Sequence, residues 1–323
     1  MSKNRKYSVI LGNLGNTCDR FCGSYKSKMS TMQMFDNAIG IPDVRGIELV
    51  GTWDVSAANV KEMKKKFQST GITCVSIIPD LFSDKIYSKG SYSNPDANVR
   101  RTSIDYTKSV CEMALELNCK TINIWPGQDG YDYMFTVDYM QQREMFTQAV
   151  MELADSYPQL DFAIEYKPKE PRTHSLIPNM SETLLLVSEL ARGNVGVTID
   201  TGHAFNAGEN VSGSIVLAKK YGNRLLHMHF NDNYASWDDD MMVGSVHTIC
   251  YIEMLYWLDR CDYDGWLSMD QYPYREDAAA AIGESILWLK KFDAIVDANR
   301  NEIDGLIKES NPISVSKFMR RSV

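Results

Sequence analysis

The chain has 323 residues, a formal net charge of −8 and a sequence pI near 5.2, with 44% hydrophobic and 24% charged residues. This apolar content is enough for a large core, and the acidic balance argues against nucleic acid or an anionic membrane surface as the main partner. No apolar run approaches the ~18 residues that a membrane-spanning helix requires.

Short apolar segments alternate with longer segments of helical period along the chain. The predicted strands cover residues 7–12, 46–50, 72–78, 120–125, 161–166, 195–200, 225–231 and 266–270. The predicted helices cover residues 56–69, 96–117, 137–154, 181–190, 213–221, 249–260 and 277–288. Repeated β-α alternation with eight strands predicts a parallel sheet that closes into a (β/α)8 TIM barrel.

The chain is predicted to form a single domain. We expect residues 1–295 to form the barrel and residues 296–323 to form a C-terminal helical tail that ends in a loose arm. Two polar insertions, residues 82–98 and 167–179, follow the third and fifth strands. Both should lie on the C-terminal face, where barrel enzymes carry their catalytic residues.

Four consecutive predicted strands end in residues that commonly bind metals. These residues are Glu165, Asp200, His229 and Asp270. Because the carboxyl ends of barrel strands meet at one face, we expect the four side chains to form a ring around one cation. Three carboxylates and one imidazole suit Mn²⁺, Co²⁺ or Mg²⁺ better than a structural zinc site. The alternative is that each residue caps a helix or solvates a loop.

A second cluster of such residues follows the first. His203 lies three residues after Asp200, and three adjacent acids occupy residues 238–240. Adjacent carboxylates repel one another, and a cation would relieve that repulsion. We therefore expect His203, Asp238 and Asp240 to hold a second metal, with a solvated acidic turn as the alternative.

Three residues are candidates for catalysis: Lys167, Asp238 and His247. Lys167 follows the first ligand of the ring by two residues, so strand alternation places both on one face. It is expected to donate a hydrogen bond to a substrate oxygen, or else to form a salt bridge only. Asp238 is expected to activate water, and His247 to reach the substrate from a loop. His227, one layer below His229, is either a partner of that ligand or a core histidine.

Aromatic residues follow several of the predicted strands. Sugars pack their C–H faces on such rings, so the sequence predicts a carbohydrate site lined by Trp53, Trp125, Tyr131, Trp237 and Tyr272. Gln128 and Asp129 are the expected partners of sugar hydroxyl groups. No cluster of arginine or lysine accompanies these residues, so an unphosphorylated sugar is favoured.

These motifs resemble those of the xylose isomerase-like TIM-barrel superfamily of sugar isomerases and epimerases, with L-rhamnose isomerase as the nearest pattern. The similar segments are Glu165-Tyr-Lys167, Asp200-Thr-Gly-His203, His229-Phe-Asn-Asp232 with the acids 238–240, and Asp270-Gln271. The resemblance implies a first metal at the ring of four ligands, a second metal at His203 and the acidic run, and a substrate contact by Lys167. The acidic run lies one residue farther from His229 than in that pattern, and the chain is shorter.

Two further segments resemble sugar isomerase/epimerase-like proteins that include the catalytic subunits of bacterial C-glycoside deglycosidases. They are the segments that begin at Trp125, with the sequence Trp-Pro-Gly-Gln-Asp-Gly, and at Trp266, with the sequence Trp-Leu-Ser-Met-Asp-Gln-Tyr-Pro-Tyr. Two functions therefore remain open. The first is a metal-dependent isomerase that interconverts an aldose and a ketose.

The second function is cleavage of a 3-oxo-C-glycoside, in which His247 or Lys167 takes a proton and the aglycone leaves by β-elimination. It would require a small partner subunit. A nuclease of the endonuclease IV type is disfavoured because the chain has only five histidines and no basic groove. A non-catalytic sugar-binding protein is the remaining alternative.

The cellular location of the protein is predicted from its cysteines and its first residues. Seven cysteines lack a regular spacing, and residues 1–6 lead into only a short apolar stretch. An odd, irregular cysteine set without a signal peptide predicts a cytoplasmic protein. We also expect a homo-oligomer.

Overall fold

The computed structural model describes residues 4–15, 17–18 and 21–323. Within these residues, eight parallel strands form a closed barrel: β1 (Lys6–Ile10), β2 (Val44–Val50), β3 (Thr73–Ile78), β4 (Thr121–Ile124), β5 (Asp161–Glu165), β6 (Val195–Asp200), β7 (Leu225–Phe230) and β8 (Trp266–Met269). Each strand pairs with its neighbours in chain order, and β1 pairs with β8 to close the barrel. The predicted (β/α)8 fold is confirmed, and every predicted strand overlaps an observed one.

Helices surround the barrel: α1 (Thr31–Gly40), α2 (Val60–Thr70), α3 (Ala97–Glu116), α4 (Tyr139–Ser156), α5 (Met180–Leu190), α6 (Thr201–Asn206), α7 (Val211–Lys220), α8 (Thr248–Arg260), α9 (Ala278–Glu309) and α10 (Pro312–Ser322). The sequence did not predict α1 or α6. A capping box between Ser30 and Gln33 begins α1, and this signal was available in the sequence. None of the helices in the described ranges has the length and apolarity to cross a bilayer.

Strand alternation separates the apolar core from the polar interior of the barrel. In β6, Val195, Val197 and Ile199 belong to the hydrophobic core. The intervening Thr198 is also buried, but its hydroxyl donates a hydrogen bond of 2.6 Å to Asn123 of β4. Since successive residues of a strand point to opposite faces, one face packs against the helices and the other carries polar groups into the barrel.

The predicted insertion after β5 meets the segment after β4 in a small antiparallel sheet. Gly130–Tyr131 pairs with Thr173–Ser175, which also pairs with Lys169–Glu170. The insertion after β5 is therefore a short hairpin and not an irregular loop. It brings the segment after β4 and the segment after β5 together beside the mouth of the barrel.

Asp129 anchors the insertion that follows β3. Its carboxylate is fully buried and accepts hydrogen bonds from the backbone N–H groups of Ser91 (3.0 Å) and Ser93 (2.8 Å). The hydroxyl of Ser93 donates another, at 2.6 Å. These bonds occupy the carboxylate, so Asp129 is not available to a sugar hydroxyl, contrary to the expectation from the sequence.

The C-terminal tail is helical to its end. Helix α9 continues past the predicted boundary at residue 296, with one non-helical residue at Asn299. The arm that was predicted to be loose forms α10, and its Phe318 is 1% exposed. Burial of this aromatic ring explains why the last residues pack on the long helix.

We expect Asp129→Ala to lower the free energy of unfolding by about 2–4 kcal/mol, because it leaves several buried donors without an acceptor. Asp129→Asn, which keeps one acceptor oxygen, should cost less. Urea unfolding followed by circular dichroism measures both values. A loss below about 1 kcal/mol for the alanine variant would contradict the anchoring role of this carboxylate.

Candidate metal centre

A cavity of about 190 Å³ opens at the C-terminal end of the barrel. Its two halves differ in chemistry. The acidic half, from the end of β5 to beyond β8, is lined by Glu165, Lys167, His203, Asp238, Asp240 and Asp270. The other half, from β1 to the end of β4, is lined by Ile10, Val50, Trp53, Ile78, Phe82 and Trp125.

The structure brings together the four strand-end residues of the predicted ring. Glu165, Asp200, His229 and Asp270 each offer one ligand atom, and these atoms all lie within 4.8 Å of one another. The parallel register explains this convergence, because His229 pairs with Asp200 on one side and with Ser268 on the other. A single divalent cation could contact all four side chains, and their role as its ligands stays a prediction.

Two buried imidazole nitrogens face the same carboxylate oxygen. The Nδ1 atoms of His203 and His229 each lie 3.3 Å from Oε1 of Glu165. Nδ1 of His229 also lies 3.2 Å from Oδ2 of Asp270. Among the described residues neither Nδ1 has a partner with hydrogen-bond geometry. Buried polar atoms rarely lack partners, and imidazole nitrogens beside carboxylate oxygens are a donor set that fits Mn²⁺, Co²⁺ or Mg²⁺.

The sequence Asp200-Thr-Gly-His203 makes a turn that directs His203 into the cavity. Oδ1 of Asp200 caps α6 by accepting the backbone N–H of His203 at 2.8 Å. Its Oδ2 accepts the side-chain amide of Asn231 at 2.7 Å. A Cβ atom on Gly202 would lie 2.0 Å from Oδ1 of Asn231, so only glycine permits this close packing.

The second cluster forms around His203. Asp200, His203 and Asp238 offer ligand atoms within 4.8 Å of one another. Nε2 of His203 lies 3.2 Å from Oδ2 of Asp238, which also contacts Nζ of Lys167 at 2.7 Å. Asp240 lines the cavity in a left-handed conformation (φ 48°), but within the described chain none of the three candidate ligand groups includes it. The predicted second site therefore has Asp200 where the sequence suggested Asp240.

Burial and mutual charge shift the pKa values of these groups strongly. Burial raises the pKa of Asp200 to about 7, against the opposing effect of His203. Burial would also raise the pKa of Glu165, but the charge of His229 outweighs it and lowers the pKa to about 2. For His203, burial acts to lower the pKa, but Asp200 and Asp238 outweigh it and raise the pKa to about 9. Without a metal, protonated His203 and His229 therefore compensate part of the carboxylate charge.

Trp53 and Trp125 line the cavity as the sequence suggested, with Phe82 between them. The ring of Phe82 meets Trp53 and Trp125 edge to face, with centroid distances of 5.6 and 4.5 Å. Nε1 of Trp53 donates a hydrogen bond of 2.8 Å to Asp80, which fixes the indole at the cavity rim. Sequence reasoning missed Phe82 because it opens an insertion and belongs to no motif.

Three predicted substrate-binding residues do not line this cavity: Gln128, Tyr131 and Trp237. Tyr131 instead stacks on His174 of the small antiparallel sheet, at a centroid distance of 5.1 Å. Trp237 is 44% exposed, and Nζ of Lys169 lies 6.0 Å from its ring. The short sheet holds Tyr131 outside the mouth, a strand pairing that the sequence did not indicate.

His247, a predicted catalytic residue, also lies outside the cavity. Its Nδ1 is 2.7 Å from Oδ1 of the buried Asp232, and its ring stacks on Phe205 with a centroid distance of 3.9 Å. These contacts hold the imidazole in a separate surface depression beside Phe205 and Cys250. The prediction that His247 reaches the substrate therefore does not match its position.

Three polar residues that hold the ligands were not predicted. The side-chain amide of Asn13 donates to Asp270 at 2.9 Å, and that of Asn123 donates to Glu165 at 2.6 Å. Glu48 of β2 contacts His229 from the opposite side, at 3.3 Å. Asn123 and Glu48 interrupt otherwise apolar predicted strands, and this interruption was the available signal.

We expect Mn²⁺, at about 100 times its dissociation constant, to raise the melting temperature of metal-stripped protein by about 5 °C. Asp200→Asn should abolish most of this rise, since asparagine keeps the helix cap but removes a charge. The neighbouring Asp239→Asn is the matched control, because Asp239 belongs to none of the candidate ligand groups of the described residues. Differential scanning fluorimetry measures the shift, and an equal rise in all three proteins would contradict the site.

Comparison with known proteins agrees with the fold. The profile of the xylose isomerase-like TIM barrel family matches residues 38–292. A D-tagatose 3-epimerase-like protein superposes with a TM-score of 0.71 at 20% identity, covering 91% of this chain and 99% of the other. D-psicose 3-epimerase from Clostridium cellulolyticum H10 gives 0.69 at 16% identity, with coverage of 90% and 99%.

A third solved structure, 3-keto-D-glucoside 4-epimerase from E. coli, gives a TM-score of 0.68 at 15% identity. It covers 89% of this chain and 99% of that chain. At such low identities these likenesses concern the fold alone. The family profile, in contrast, covers more than half of the sequence, and this chain therefore belongs to the xylose isomerase-like TIM barrel family.

Proposed function

We propose that this protein is a divalent-metal-dependent sugar isomerase or epimerase that acts on an unphosphorylated sugar. One observation carries the proposal. The Nδ1 atoms of His203 and His229 meet at Glu165 without hydrogen-bond partners among the described residues, at a barrel mouth with further carboxylates and two indole rings. That combination supplies both a cation site and a surface for the C–H face of a sugar.

The charge of the cavity favours a neutral substrate. Among its described lining residues, Lys167 is the one lysine or arginine. Its ammonium group already contacts Asp238 and Glu170. A phosphate group would meet uncompensated carboxylates here, and like charges repel more strongly in a poorly hydrated site.

A Mn²⁺, Co²⁺ or Mg²⁺ ion held by Glu165, Asp200, His229 and Asp270 would act as a Lewis acid toward a substrate oxygen. The protein groups around it have separate tasks. Burial would lower the pKa of Lys167, but Asp238 and Glu170 raise it, so Lys167 keeps its proton and donates a hydrogen bond. Asp238 stays ionised and can accept the proton of a substrate hydroxyl, directly or through water.

The names of similar solved structures support this proposal without deciding it. Two are a D-tagatose 3-epimerase-like protein and a D-psicose 3-epimerase, names that refer to free ketohexoses. The indole rings of Trp53 and Trp125 would pack against a sugar ring in the same cavity. We therefore place the substrate among aldoses and ketoses of this size.

The decisive measurement is turnover of unphosphorylated aldoses and ketoses by the metal-stripped and the Mn²⁺-loaded protein. We expect EDTA treatment to lower turnover by at least about 100-fold, since the Lewis acid supplies several kcal/mol of transition-state stabilisation. Mn²⁺ should restore it. Lys167→Met should lower kcat more than it raises KM, because the lost hydrogen bond strengthens as charge develops on the substrate oxygen.

Asp239→Asn again serves as the control and should retain wild-type turnover. Metal analysis after EDTA treatment must accompany the assay. Unchanged turnover by protein that is verified to contain no metal would overturn the proposed function.

A second candidate function is favoured by the apolar half of the cavity. Ile10, Val50 and Ile78 form their own small hydrophobic cluster with Phe82, separate from the main core. Sugar hydroxyl groups do not need such a wall, whereas an aromatic aglycone does. This observation supports the cleavage of a 3-oxo-C-glycoside, and the resemblance to a 3-keto-D-glucoside 4-epimerase is in keeping with it.

In that reaction a cavity carboxylate, Asp238 or Asp240, takes the proton on the carbon between the 3-oxo group and the anomeric carbon. The C–H electron pair forms a double bond to the anomeric carbon. The bond from the anomeric carbon to the aglycone breaks, and its electron pair leaves with the aglycone carbon, which takes up a proton. Lys167 is placed to donate to the carbonyl oxygen, and a small partner subunit would complete the enzyme.

Paired 3-oxo-glucosides that carry an aryl or a methyl aglycone separate the two candidates. If the apolar half binds the aglycone, Phe82→Ala should raise the KM of the aryl substrate about tenfold and leave the methyl substrate nearly unchanged. The free aldoses and ketoses of the isomerase assay are measured as a third group of substrates beside the aryl and methyl glucosides. Equal losses for aryl and methyl substrates would contradict the role of the apolar half.

A further inference from the structure

A carboxylate beneath the metal centre has no role in the reactions above. Glu48 lies in β2, is fully buried and does not line the cavity. Its side chain extends into the barrel interior, where a carboxylate without partners would be very costly. Three groups contact it: the hydroxyl of Ser76 and the Nε2 atoms of His227 and His229.

The contact with His229 determines how that ligand is presented. Nε2 of His229 lies 3.3 Å from Oε2 of Glu48, and Nδ1 on the other edge of the ring faces Glu165 and Asp270. A neutral imidazole carries one N–H group. When Nε2 donates that proton to Glu48, Nδ1 presents its lone pair to the ring of carboxylates.

His227 and Ser76 hold Glu48 in position. Nε2 of His227 lies 2.8 Å from Oε1 of Glu48, and the Ser76 hydroxyl donates to Oε2. The two histidine rings are nearly perpendicular, at 87°, with centroids 5.0 Å apart. His227 is therefore not an isolated core histidine, since it fixes the carboxylate that contacts His229.

We propose that Glu48 is a positioning residue that selects the tautomer of His229 and so directs its Nδ1 lone pair into the metal site. The proposal rests on the metal site of the proposed function. Outer partners of metal-bound histidines commonly change metal affinity by 10-fold to 100-fold. A merely structural role for Glu48 would change the stability of the protein and leave the metal affinity of the folded protein unchanged.

Glu48→Met tests this assignment, because methionine keeps the length of the side chain but removes both acceptor oxygens. We expect the affinity for Mn²⁺, measured by isothermal titration calorimetry on folded, metal-stripped protein, to fall by about 10-fold to 100-fold. Glu48→Gln keeps one acceptor oxygen and should recover part of that loss. It also keeps the test available if the methionine variant does not fold.

Ser268→Ala is the matched control. Ser268 pairs with His229 across the neighbouring strands, and its buried hydroxyl has no hydrogen-bond partner among the described residues. The change therefore alters the same layer of the barrel without removing a hydrogen bond there. Its Mn²⁺ affinity should equal that of the wild type.

Nitrogen-15 NMR of the five histidines in Mg²⁺-loaded protein reads the tautomer directly, because a bound divalent cation displaces the second proton that the imidazoles of the site carry in its absence. We expect His229 to be protonated at Nε2 in the wild type and to gain Nδ1 protonation in Glu48→Met. Wild-type tautomer and Mn²⁺ affinity in a folded Glu48 variant would overturn the assignment, with the metal site intact. A wild-type protein that binds no divalent cation would overturn the proposed function itself, and the metal-directed role of Glu48 with it.

Discussion

Repulsion among five carboxylates at the mouth of the barrel is the constraint on which this site depends. They are Glu165, Asp200, Asp238, Asp240 and Asp270. Only Lys167, His203 and His229 offer positive charge against them within the described site. Burial, to which the charge of Asp270 adds, raises the pKa of Asp200 to about 7. Such a cluster costs free energy when only protons compensate it, and a divalent cation, as proposed above, would remove that cost by replacing them.

The polar character of the site extends one layer deeper into the barrel. TIM barrel interiors are usually filled by branched apolar side chains. Here the layer beneath the carboxylates carries Glu48, Ser76, Asn123, Thr198 and His227, all buried. Asn123 links Thr198 to Glu165, and Glu48 links His227 to His229, so hydrogen bonds in this layer fix the orientation of groups that face the cavity. Polar packing is weaker than apolar packing but more directional, which suits a layer that orients ligands.

The sequence predicted the strands and the residues at their ends because both depend on local patterns. An apolar run fixes a strand, and the parallel barrel then places its last residue at the mouth. Loop residues such as His247 and Tyr131 could not be placed this way, since Asp232 and His174 hold them through contacts between distant segments. Glu48 was visible as a charge within an apolar strand, but its importance follows only from the histidines that it contacts across the barrel.

The division of the cavity into two halves separates the two requirements of the proposed function, a cation site and a surface for the substrate. The acidic half comes from the second half of the chain, and its side chains are fixed by hydrogen bonds to neighbouring strands, as Asn123 fixes Glu165. The apolar half comes from the first half of the chain and includes Trp53 and Phe82, which lie on segments beyond the strand ends. Segments beyond strand ends tolerate change more readily than buried strands. Under the proposed function, substrate choice can therefore vary on one side of the cavity while the predicted cation ligands stay fixed on the other, and this arrangement accounts for predicted metal ligands that are easier to recognise than the sugar.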